Sequence, residues 1–275
     1  MTLQIRRRSY WILFGVSCAS TLLALASSVI LAFRGDLPVF LIEHGIYSIH
    51  EFLGLRIPSQ VLSLADAVLL CGFAVTGQSF ILRSFRQTVS AEIFFFAFWL
   101  CCASFEALRP LHLLLALGGS ADGVLAVIDK AYTGVKFFGY SSLFISGLYA
   151  SGMRNEKHLS IVAVCAAISV ALATSLPVNT GIWDRTLLFK VGYSNLINGF
   201  AFSIIIITIT NYIIATRVRG DRSFYYVALG LAASTAGTFL LSKDISPLAS
   251  LAALVALGLG SWLYINKLHS YYLWQ

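Results

Sequence analysis

Tyr10–Phe33 reads YWILFGVSCASTLLALASSVILAF, 24 residues without a charge, set between Arg6-Arg7-Arg8 and Arg34. A bilayer's hydrocarbon core is about 30 Å thick, and a helix rising about 1.5 Å per residue crosses it in about 20 residues. Four further charge-free runs meet that length: Leu159–Trp183, Val191–Thr216, Ser223–Ser242 and Ile245–Asn266. In lipid every backbone N–H and C=O must be satisfied within its own segment or a closed barrel, and the short alternating stretches of a barrel are missing. With 58 % hydrophobic and only 11 % charged residues, the sequence predicts an all-α, polytopic membrane helix bundle.

The charges fix an orientation. They fall in bunches between the apolar runs, and every second bunch is basic: Arg6/Arg7/Arg8, Arg83/Arg86, Arg154/Lys157, Arg217/Arg219/Arg222 and Lys267. Those segments hold eleven Lys/Arg against three acids (Glu92, Glu156, Asp221), while the remainder holds eight against nine. Positive charge is retained in the cytoplasm, which predicts cytoplasmic N- and C-termini and the cytoplasmic membrane as location. The net charge of +7 is thus a topology signal, not a nucleic-acid footprint.

Both termini inside requires an even number of crossings. Eight are expected, at 10–33, 61–82, 88–108, 133–153, 159–178, 194–214, 224–241 and 248–266, in one integral membrane domain over 1–275. An alternative takes Ala24-Leu25-Ala26 as a signal-peptide cleavage site, leaving seven. The weakest span is the fourth. Leu111–Leu117 and Val124–Ile128 are each too short to cross, lie among Asp122, Asp129 and Lys130, and read as re-entrant or interfacial pieces.

The outer connections 34–60, 109–132 and 177–193 are long, whereas the inner ones are short and basic. In the first, Ile42, Ile46, Ile49 and Leu53 follow helical spacing opposite Glu43, His44, Tyr47, His50 and Glu51, predicting an interfacial amphipathic helix over 38–55. Glu43 and His50, seven residues apart, would nearly eclipse on that helix as a metal pair. The H-E-x-x-H spacing of a tight site is missing, so an ordinary polar face is expected and no metal is assigned.

A second group is more informative. Asp66, Glu106, Arg109, His112, Lys136, Lys190 and Asn195 all fall near the outer ends of their spans, at similar depth by rise per residue. Ionisable groups inside a bilayer are costly and mark a ligand or proton pathway. Asp66 and Glu106 would titrate, with Arg109 and Lys190 as counter-charges. Snorkelling to the interface is the competing account for Arg109, Lys136 and Lys190.

Other chemistry finds little footing. The five cysteines all lie inside spans and form no C-x-x-C pair. Ser151-Gly152 has no mid-membrane histidine to act as base. Gly230/Ser234, Ala233/Gly237, Gly139 and Gly147 supply small residues for close helix packing. No cofactor or catalytic residue is assigned. The expected function is a small permease, or the membrane subunit of a transport assembly, for a polar solute with proton coupling. The alternatives are a sensory module signalling through a separate cytoplasmic partner, and a lipid-modifying enzyme using His112, His50 or Glu106. Membrane lipids are the expected surroundings, and a protein partner would dock on the inner loops 83–87, 154–158 and 217–222.

Overall fold

The computed structural model describes residues 3–52, 55–84, 90–153, 158–243 and 245–273. Nearly all of them are helical. Seven helical segments are long and apolar enough to cross a membrane: Arg7–Phe33, Ser59–Ser84, Ala91–Leu117, His158–Ser175, Ser194–Arg219, Ser223–Leu241 and Pro247–Tyr272. They belong to α1 (Leu3–Phe33), α3 (Ser59–Ser84), α4 with α5 (Ala91–Ala103 and Leu108–Leu117), α7 (His158–Ser175), α8 (Ser194–Arg219), α9 (Ser223–Leu241) and α10 (Pro247–Leu273).

The remaining long helix, α6 (Asp122–Ala150), has 29 residues but is not among the seven. Its lower hydropathy has a physical reason, because neighbouring helices cover it on several faces. A Cβ added at Gly134 would lie 3.1 Å from Ala173 Cβ on α7; at Gly139, 3.0 Å from Cys102 Cβ on α4; at Gly147, 3.1 Å from Thr208 O on α8. A helix shielded by protein needs no apolar outer face. Peripheral helices differ: 11 % of the most apolar stretch of α7 is buried, against 72 % for Ala91–Leu117.

The apolar pieces Leu111–Leu117 and Val124–Ile128 are not separate re-entrant elements. The first continues α4 through a 3-10 turn, Ser104–Ala107, and the second is the opening of α6. Gly119, with φ +75°, makes the reversal between them in a conformation that favours glycine.

The amphipathic helix expected over 38–55 is corrected. Only α2 (Leu37–Glu43) is helical; Gly45 turns the chain at φ +67°, and β1 (Ile49–Phe52) pairs antiparallel with β2 (Leu55–Pro58). His44 N–H closes the last turn on Phe40 O, and the chain then leaves through the left-handed glycine. Ile49 and Ile57 favour the extended ladder that follows. His50 therefore sits on a strand, and the eclipsed Glu43/His50 pairing has no helix to support it.

Contacts at the two ends of the bundle show that the α4–α5 segment runs opposite to α3, α6, α8 and α10. At one end meet Glu92 in the first turn of α4, Tyr149 and Ala150 closing α6, Arg219 closing α8, and Tyr272 near the end of α10. At the other meet Ser63 opening α3, Glu106 and Arg109 late in the α4–α5 segment, and Tyr132 and Lys136 in the first half of α6. Between the ends, Phe94, Phe95 and Phe96 of α4 are fully buried, with Phe96 stacked on Tyr264 at 4.2 Å.

Candidate functional site

A hairpin of β3 (Val178–Trp183) and β4 (Phe189–Val191) covers the end of the bundle at which Glu106 lies. Its turn carries Leu187 at φ +62°, and Tyr193 at φ +58° precedes α8. Non-glycine residues in this region cost roughly 1 kcal/mol or more each, so the surrounding structure must hold them. For Leu187 the hold is visible: its side chain is buried, and its carbonyl faces His112 Nδ1 at 3.1 Å.

Beneath the hairpin lies the ion cluster. Glu106 Oε1 is 3.1 Å from Lys136 Nζ, Glu106 Oε2 is 3.4 Å from Arg109 Nη1, and Tyr132 Oη donates to the same carboxylate at 3.0 Å. Arg109 is fully enclosed. Its Nη2 donates to Ser63 Oγ at 2.6 Å and its Nε to Thr186 O at 2.9 Å, tying α3, α5 and the hairpin together. Lys136 differs: its side chain is 30 % exposed, and it is the cation of the cluster that reaches open space.

That space is a cavity of about 690 Å³ between α6, α8, α9 and the hairpin. Its volume lies within the roughly 300–1,000 Å³ of small-molecule sites. Lys136, Lys190 and Asn195 all line it, joined by Asp129, Asn198 and Lys243.

No family model, curated protein or solved structure matches this chain. Chemistry must therefore be read from the side chains themselves.

Of the residues singled out in the sequence, Glu106 contacts both Arg109 and Lys136, and Lys190 and Asn195 share the cavity with Lys136. Asp66 lies one turn beyond Ser63 on α3 and accepts from Ser250 Oγ of α10 at 2.7 Å; it does not line the cavity. His112 is enclosed by Trp183 and Phe189, whose rings meet it edge-on at 5.2 and 4.9 Å, and its Nε2 lies 3.4 Å from Asp129 Oδ2. It does not line the cavity either.

Asp129, Tyr132 and Lys243 are additional. Asp129, Tyr132, Thr133, Lys136 and Tyr140 follow steps of three and four along α6, a polar stripe visible once the helix is taken to start at Asp122. Among the described residues no group of three or more His, Cys, Asp or Glu is placed to hold a metal ion.

Proposed function

We propose that this chain is an eight-span carrier, or the membrane subunit of a transport assembly, in the cytoplasmic membrane, with both termini inside and the cavity as its solute site. α6 supplies the eighth crossing, and the basic bunches give the orientation. One observation carries the reading: Lys136 links a buried carboxylate–guanidinium cluster to a cavity of solute size. A buried ion pair is worth little net stability against apolar side chains of equal volume, so its presence in a membrane bundle points to ligand or proton handling.

In this mechanism an anionic group entering the cavity competes with Glu106 for Lys136. Arg109 stays fixed by Ser63 and Thr186, leaving Glu106 as the group that takes up or releases a proton when Lys136 changes partner. Asp66, bonded to α10, is the second candidate proton carrier. The sensory alternative rests on the inner loops 83–87, 154–158 and 217–222; of these, 85–87 and 154–157 lie outside the described residues. The enzyme alternative loses support from His112, which is walled off from the cavity.

The test uses proteoliposomes under an inward proton gradient with a lumenal pH dye, challenged with a panel of organic phosphates and carboxylates. An anion that accelerates lumenal acidification is expected. Lys136→Gln should cut that rate about tenfold or more, equivalent to about 1.4 kcal/mol. Glu106→Gln should abolish proton movement while leaving solute binding. A folded Lys136→Gln protein with the wild-type rate removes the cavity from the mechanism.

A further inference from the structure

The charged side chains of the cavity lie at one end only, and beyond them the lining of its three helices turns mainly apolar. On α8 the lining starts with Ser194, Asn195 and Asn198, then turns apolar through Phe202, Ile205 and Ile209. On α6 it passes from Asp129 and Lys136 to Phe137 and Tyr140. α9 runs the opposite way, from Ala232, Thr235 (whose hydroxyl donates to Leu231 O of its own helix at 2.9 Å) and Ala236 up to Phe239, with Lys243 just past its end. From Asn198 to Ile209 the apolar stretch descends about 16 Å at 1.5 Å per residue. A small polar solute would leave that depth unused.

The polar end is cationic. Lys136, Lys190 and Lys243 arrive from α6, β4 and the end of α9. Of the carboxylates at that end, Glu106 is shared among Lys136, Arg109 and Tyr132, Asp129 lies 3.4 Å from His112 Nε2, and Asp184 accepts from Thr186 Oγ1 at 3.1 Å, so Lys190 and Lys243 add positive charge beyond the Glu106 pair. Lys243 lies 5.4 Å from the Phe239 ring, at the border between the two halves.

The wall is also open sideways. Phe202 and Ile206 of α8 and Phe239 of α9 line the cavity and remain 63 %, 49 % and 40 % exposed. A ligand can therefore pass between bilayer and cavity without crossing the headgroup region tail-first.

Resting on the reading that this cavity is the solute site, we propose that its ligand is an anionic amphiphile. A phosphate or carboxylate head would sit among Lys136, Lys190 and Lys243, with one hydrocarbon chain lying between α8 and α9. Charge-assisted hydrogen bonds hold the head, and apolar contact along the deep wall holds the tail.

Native mass spectrometry of the purified full chain, titrated with dodecyl phosphate, inorganic phosphate and the neutral dodecyl maltoside, tests this. One dodecyl phosphate per chain is expected, at least tenfold tighter than either comparator. Lys136→Gln with Lys243→Gln should weaken it at least tenfold. Ala236→Phe, at an exposed lining position where a larger side chain does not overpack the core, should exclude the tail while all three lysines remain. If the double variant does not fold, Ala236→Phe decides alone.

Inorganic phosphate bound as tightly as dodecyl phosphate would overturn the inference in favour of a small-anion site. Equal binding of the maltoside would reduce the slot to an annular lipid position and overturn it as well. Unchanged binding by Ala236→Phe would do the same. Amphiphile binding without any flux refutes the carrier while leaving this assignment standing; flux of small anions without amphiphile binding does the reverse.

Discussion

Arg219→Ala is expected to destabilise the bundle by about 3 kcal/mol, the low end of what breaking a buried ion pair costs. Arg219 closes α8 where four elements converge. Its Nη2 donates to Glu92 Oε1 at 2.8 Å and to Tyr149 O at 2.7 Å, its Nε to Ala150 O at 2.9 Å, and its Nη1 to Tyr272 Oη at 3.1 Å. The truncation removes the Arg219 donor from Ala150 O, while Tyr149 O keeps Gly152 N–H at 3.2 Å, and leaves a carboxylate that is 2 % exposed. The low end applies because Tyr272 and Ser90 still donate to Glu92, at 2.8 and 2.9 Å. Glu92→Gln should cost less, since the amide oxygen still accepts and the 21 % exposed guanidinium can turn toward water. Arg217→Ala, two residues earlier and exposed, is the control and should stay within about 0.5 kcal/mol. Thermal unfolding in a mild detergent measures all three. If Arg219→Ala melts with Arg217→Ala, the Arg219–Glu92 clamp contributes nothing to the fold.

Much of the fold is legible in the sequence because the bilayer imposes a single requirement, length of uncharged chain. Tyr10–Phe33 satisfies it without help from the rest of the molecule, and α1 runs through it. The same rule misreads α6, whose Asp129, Lys130 and Lys136 interrupt the apolar run, because solvation of those side chains by neighbouring helices is a tertiary fact. It misreads 38–55 for a different reason. Ile42, Ile46 and Ile49 keep helical spacing, but Gly45 breaks the element, and the strands that follow, carrying Ile49 opposite Pro58 and Ile57 opposite His50, pair antiparallel.

The candidate site was legible to the extent that depth is. Counting rise from the span ends brings Glu106, Arg109 and Lys136 to one level, which is as far as sequence distance reaches. That Lys136 faces Glu106 on one side and a cavity on the other depends on the rotation of α6, fixed by its glycines against α4, α7 and α8. The Arg219–Glu92 clamp shows the same limit. Glu92 reads from sequence as an N-terminal charge on its helix, and Ser90 does cap that turn by accepting from Ile93 N–H at 3.2 Å. Arg219, 127 residues away, has no local signature linking it to Glu92.

Gly260→Leu is expected to separate α9 from α10 and to lower the melting temperature by about 10 °C, corresponding to roughly 3 kcal/mol for a chain of this size. A Cβ at Gly260 would stand 2.7 Å from Gly230 O and 2.7 Å from Ser234 N. Both are backbone atoms of a helix and cannot swing aside, so the helices must part by about 1 Å to restore ordinary contact near 3.5 Å. In lipid no hydrophobic drive favours re-closure, because tails solvate the exposed leucine as well as α9 did. The separation also pulls Tyr264 from Tyr212 Oη at 2.7 Å, from Ser146 Oγ at 3.0 Å and from its stack on Phe96. Gly258 supplies the control two residues away on the same helix: a Cβ there meets nothing within 4 Å, and Gly258→Leu should be neutral within about 0.5 kcal/mol. Hydropathy cannot tell these glycines apart, since either leucine makes α10 more apolar. Equal melting temperatures for the two variants would therefore refute close backbone contact between α9 and α10, whereas a loss confined to Gly260→Leu would show that van der Waals fit at the crossing holds this pair together.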